Sequence, residues 1–178
     1  PSFVFPEEIR PKDFGTKRIL FVGIDFDRKG GDAVVDAFRI VRQSHPEAEL
    51  HVVGPPQRPP ALAEGAAGIE YHGRLSREKP EERARFFELM ERCTRFVMPS
   101  TYEPDGVAIL EAMAYGMPAI ATDRWAFPEM IGETGAVVPP DDVDALAASI
   151  HWMLDDPERR ASLGGAARAR VLERFRWD

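Results

Sequence analysis

Pro99-Ser100-Thr101-Tyr102-Glu103-Pro104-Asp105-Gly106-Val107-Ala108-Ile109-Leu110-Glu111-Ala112-Met113-Ala114-Tyr115-Gly116-Met117-Pro118 carries two carboxylates eight positions apart, Glu103 in a turn and Glu111 inside an apolar run. Phe96-Val97-Met98 ahead of it predicts a short buried strand that Pro99 and Ser100 end. From Gly106 to Tyr115 the pattern predicts a helix whose Val107, Ile109, Leu110, Ala112, Met113 and Ala114 leave no polar face except Glu111. Such a helix is expected to be buried all round. Gly116 followed by Pro118 stops it.

Two consequences follow from elementary chemistry. The first-turn amides of Gly106 and Val107 have no intrahelical acceptor, so the helix start offers N–H groups and a positive dipole end to an anion such as a diphosphate. Glu111 lies about 7.5 Å further along the axis, where a carboxylate is costly unless it is hydrogen-bonded. Vicinal sugar hydroxyls, a backbone amide or an arginine would each serve, and the spacing does not choose among them.

Working outward, Arg18-Ile19-Leu20-Phe21-Val22-Gly23 reads as a strand buried on both faces. The loop Ile24–Gly31 follows, holding Arg28 and Lys29 beside glycines that allow a phosphate to approach closely, although a solvated basic turn would look the same. Ala33, Val34, Ala37, Phe38 and Val41 recur at helical spacing, with Asp32 the expected N-cap. Glu49–Gly54, Ile69–Gly73, Ala119–Thr122 and Gly135–Val138 are the remaining strands. Helices are expected between Glu81 and Cys93, around Leu146 to Leu154 with Asp141 or Asp142 as cap, and from Pro157 to Phe175. Alternating buried strands and amphipathic helices imply an α/β fold: a Rossmann-like, doubly wound parallel sheet of about six strands, with helices on both faces. Ligands of such sheets bind beyond the carboxyl ends of the strands, where the Arg28-Lys29 loop and the Glu103–Gly106 turn both belong.

With 178 residues the chain fits one domain. Its proline-bearing opening predicts a linker over residues 1–16 and a folded domain over 17–178, with the look of a domain excised from a longer protein. The net charge of -7 argues against nucleic acid as a partner. One cysteine, Cys93, fits a reducing, cytoplasmic setting and a buried packing role. The four histidines, His45, His51, His72 and His151, show no ligand spacing, and no zinc site is expected. Neither a dinucleotide fingerprint, nor a P-loop, nor a nucleophile elbow around Ser100 is present.

From Arg18 to about Phe175 the chain resembles the C-terminal, donor-binding domain of GT-B fold retaining glycosyltransferases of the group 1 type, which include bacterial mannosyltransferases and glycogen synthase relatives. The most specific likeness is the Glu-x7-Glu pattern of Glu103 and Glu111, joined by the strand FVG with RKGG, LHVVG, YHGRL and GAVVPPDD. The resemblance implies that Lys29, helped by Arg28, binds the diphosphate of a nucleoside diphosphate sugar. Glu111 would hold the ribose hydroxyls, and Glu103 would face the transferred sugar as the catalytic carboxylate. The amides of Asp105, Gly106 and Val107 would meet the phosphate or sugar, and Gly73, Arg74 and Leu75 would lie against the base. It also implies retention at the anomeric carbon without cofactor or metal. An N-terminal acceptor-binding domain would lie outside this chain and carry any peripheral membrane contact, and the isolated domain would be inactive. Ile24 stands where the family often has arginine, Asp105 where it has an apolar residue, and Trp125 and Phe127 make a bulky loop that either shapes ligand choice or packs. The alternatives are a noncatalytic sugar-nucleotide-binding or regulatory module and an unrelated nucleotide-binding domain.

Overall fold

A computed structural model describes residues 5–63 and 65–175. The first four residues of the expected linker lie outside them. Six strands form one parallel sheet: β1 Arg18–Val22, β2 Glu49–Val53, β3 Ile69–Gly73, β4 Arg95–Met98, β5 Ala119–Thr122 and β6 Ala136–Val138. Their order is β3-β2-β1-β4-β5-β6, so successive strands run outward from β1 and then from β4, as expected of a doubly wound sheet. Six α-helices connect and close it: α1 Gly31–Arg42, α2 Pro80–Arg92, α3 Val107–Ala114, α4 Phe127–Ile131, α5 Val143–Leu154 and α6 Pro157–Arg174.

The continuous apolar strands are covered on both sides. Phe21, Val97 and Ile120 face α1 and α5, while Leu20, Phe96 and Ala121 face α2, α3 and α6. Full burial of side chains such as Ile19, Leu20 and Phe21 contributes about 1.5–3 kcal/mol each. Asp142 and Asp156 cap α5 and α6, accepting from the amides of Ala145 and Arg159. Asp32 does not cap α1, contrary to the sequence expectation. The helix starts two residues earlier than an Asp32 cap would set it, from Gly30 in the left-handed region (φ 75°), where a Cβ would stand 2.3 Å from the Pro99 carbonyl oxygen. Two loops meet there too closely for a side chain, and that contact sets the helix start.

Two further features go beyond the sequence reading. Residues 5–16 form no regular element, yet they are fastened to the body. The ammonium of Lys12 donates to the carbonyls of Met90, Glu91 and Cys93 at the end of α2, while Arg160 and Arg168 of α6 donate to the carbonyls of Phe14, Pro6 and Glu7. The histidines also come together, against expectation. Strand pairing sets His51 beside Glu70, and alternation then puts Glu49, His51, Glu70 and His72 on one face of β2 and the edge strand β3, leaving Leu50, Val52, Ile69 and Tyr71 for the other. The rings of His51 and His72 stack with centroids 5.3 Å apart. Burial holds both below the usual histidine range, His72 at about 4, where the neighbouring His51 and Arg85 add to the shift.

Candidate functional site

At the switch point between β1 and β4, the loop after each strand contributes to one constellation. The backbone carbonyl of Arg28 accepts from the Thr101 amide at 3.0 Å and from the Ser100 hydroxyl at 3.1 Å, which stitches the loops together. Lys29 forms a direct ion pair with Oε2 of Glu103, a carboxylate only 8% exposed. Its Oε1 accepts from the amides of Asp105 at 3.4 Å and Gly106 at 3.2 Å. Burial, with the charge of Arg28 beside it, brings the Lys29 ammonium down to about 8. Arg28 itself is held by Asp25 Oδ2 at 2.9 Å and the Tyr102 carbonyl at 2.8 Å.

The helix that follows is α3, with Gly106 at its N-cap in the left-handed region (φ 60°). The amides of Asp105 and Gly106 serve Glu103, so of the three amides expected to face a ligand only that of Val107 stands at the helix start free of this turn. The side chain of Asp105 is exposed, which keeps its charge out of the buried turn. Val107 is exposed as well, so the helix is not buried all round: its first turn opens to solvent while Ile109 to Ala114 are enclosed.

Glu111 is 4% exposed, and burial raises its pKa against the opposing pull of Arg77. The Arg77 guanidinium grips both carboxylate oxygens and lies 4.8 Å from the centre of the Phe86 ring. Of the partners left open by the spacing, this structure thus gives the arginine. Nothing in the sequence singles out Arg77, because 34 positions separate it from Glu111. The only signal was its place two residues after Leu75, in the segment expected to border the base. Arg74, Leu75 and Arg77 line a cleft of about 510 Å³ at the carboxyl ends of β1 and β2, together with Ile24, Gly54 and Phe86.

Beyond β5, Phe127 is buried and begins α4, a helix that sequence reading missed. Trp125 is instead 52% exposed, packed edge-on against Tyr102 at 4.9 Å and donating to the Thr101 carbonyl at 3.3 Å. The two aromatic residues therefore have different fates: Phe127 packs in the core, and Trp125 stands at the rim of the site.

This sheet order and edge define the class of the molecule, a Rossmann-like α/β domain that forms one half of a GT-B fold. The crystal structure of the C-terminal domain of a glycosyl transferase group 1 family protein from Francisella tularensis matches it with a TM-score of 0.75 at 21% identity, over 92% of this chain and 88% of that one. The chain belongs to the glycosyl transferases group 1, whose family model matches residues 16–156. It is 30% identical over 178 residues to a glycogen synthase of Mycobacterium tuberculosis, covering 95% of this chain and 41% of that protein. It is 32% identical over 163 residues to a GDP-mannose-dependent monoacylated alpha-(1-6)-phosphatidylinositol monomannoside mannosyltransferase of Corynebacterium glutamicum, covering 85% of this chain and 41% of that one. The chain thus spans about two fifths of the length of these curated relatives.

Proposed function

We propose that this chain is the donor-binding half of a retaining glycosyltransferase, which takes a sugar from a nucleoside diphosphate sugar and passes it to an acceptor held mainly by a domain outside the chain. The observation that carries the reading is the buried Lys29–Glu103 ion pair at the sheet's switch point, beside the open first turn of α3. As the anomeric bond to the diphosphate breaks, negative charge grows on the departing nucleoside diphosphate. Lys29, Arg28 and the Val107 amide stand where they can stabilise it without a metal ion. Glu103, released from Lys29 by the incoming phosphates, orients the sugar or stabilises its oxocarbenium character. The ribose hydroxyls replace Arg77 on Glu111, with the base along Arg74 and Leu75. A cytoplasmic location is part of the proposal and is supported by the single buried thiol, Cys93. Among the described residues no helix is long and apolar enough to cross a membrane.

The test is calorimetric titration with UDP and GDP. At least one should bind with a dissociation constant of about 1 mM or tighter, Glu111→Gln should weaken it, and affinity should fall as pH rises through about 8, where Lys29 loses its proton. Absence of binding by any nucleoside diphosphate at millimolar concentration would overturn the reading. The Arg77–Glu111 pair favours one alternative, a noncatalytic sugar-nucleotide-binding module in which that carboxylate is permanently occupied. Donor binding by the full-length protein without hydrolysis or transfer would establish it.

A further inference from the structure

The polar face of β2 and β3 opens into a cavity of about 310 Å³ between these strands and α2, which shares no lining residue with the carboxyl-edge cleft. Three potential ligand atoms converge there. His51 Nδ1 lies 3.1 Å from His72 Nε2 and 3.4 Å from Glu70 Oε2, and the last two are 3.8 Å apart. A zinc ion bound tetrahedrally at about 2.0–2.1 Å holds its ligand atoms about 3.3–3.4 Å apart, so the triangle already approximates one face of a tetrahedron. The second ring nitrogen of His51 faces Glu49 Oε2 at 3.4 Å, and Arg18 Nε donates to that same oxygen at 2.8 Å. Metal-bound imidazoles are usually oriented by a carboxylate in this way.

We propose that His51, His72 and Glu70 form a binding site for a zinc-type divalent transition metal ion, with the fourth position open to the cavity and Glu49 orienting His51. The ion would clip β2 to β3 immediately before Gly73, on the face of the sheet that lacks an apolar cover at this edge. One group opposes it. Arg85 Nη2 lies 3.1 Å from His72 Nδ1, and because arginine only donates, that nitrogen must accept, which leaves the proton on Nε2, the atom needed for the metal. Arg85 is exposed and must turn away for the ion to bind, so it acts as a competitor of the metal.

Titrating the metal-stripped chain with Zn2+, and with Co2+ followed by visible absorption, decides the matter. The expected result is one equivalent bound at micromolar or tighter affinity, a Co2+ spectrum of tetrahedral type, and a raised unfolding midpoint. His72→Ala and Glu70→Gln should each weaken binding at least about tenfold, and Glu49→Gln about tenfold through the orientation of His51. Arg85→Ala should tighten it. Glu70 and Arg85 are exposed, so those variants report even if a histidine variant fails to fold. Binding no tighter than millimolar would overturn the proposal. So would affinity unchanged in Glu70→Gln and Arg85→Ala, or a site that disappears on substituting the separate His45–His151 pair.

Discussion

Glu111 keeps its charge inside α3 because Arg77 reaches it from the loop after β3. Replacing Arg77 with alanine leaves that carboxylate buried without its cation, and since the arginine is about half exposed we expect a cost of about 1–3 kcal/mol in denaturant unfolding. The sign with pH follows. Without Arg77 the folded-state pKa of Glu111 rises further above its unfolded value, so the deficit should be small near about pH 4 and grow as pH rises through the folded pKa. If Glu111 holds the ribose as proposed, a nucleoside diphosphate should stabilise the variant more than the parent, because ribose hydroxyls would become the missing partners. At this scale the sequence was half legible. Glu103, Glu111, Arg28 and Lys29 stand out because a carboxylate in an apolar helix and cations in a glycine loop are anomalies of local chemistry. Arg77 and the His51–His72 pair were invisible, since their meaning depends on strand register and on contacts across 34 and 21 positions.

Four strands were legible as apolar runs and β2 and β3 as short segments that mix polar and apolar residues, and helix ends less so, because capping is decided by what lies across the turn. Asp142 accepts from the Ala145 amide at 2.8 Å and caps α5, whereas Asp32 follows a helix start that Gly30 has already set. Asp142→Ala should therefore cost about 1 kcal/mol, and Asp32→Ala less than about 0.5 kcal/mol, in the same denaturant assay. Equal losses would restore Asp32 as a cap. The helix α4 escaped notice because its five residues are too few for a 3.6-residue period and open on Phe127-Pro128, which reads as a turn. Burial of Phe127, Met130 and Ile131 holds it in place, a tertiary effect that no local pattern carries.

For the whole molecule, alternation of elements was enough to foresee a parallel doubly wound sheet, but not that residues 5–16 would be built into it. The family match begins at residue 16 and ends at 156, so nearly all of this segment and the whole of α6 lie outside the matched part and lean on each other through Arg160 and Arg168. Burial lowers Lys12 to about 8, and its three carbonyl partners close the end of α2. Deleting residues 1–15 should lower the unfolding free energy by at least about 2 kcal/mol, and an unchanged midpoint would show the segment to be a passive tether. The fastening has a kinetic meaning as well. Residues 6–14, held at Pro6, Glu7, Lys12 and Phe14, should open to a protease only as slowly as the helices they are tied to.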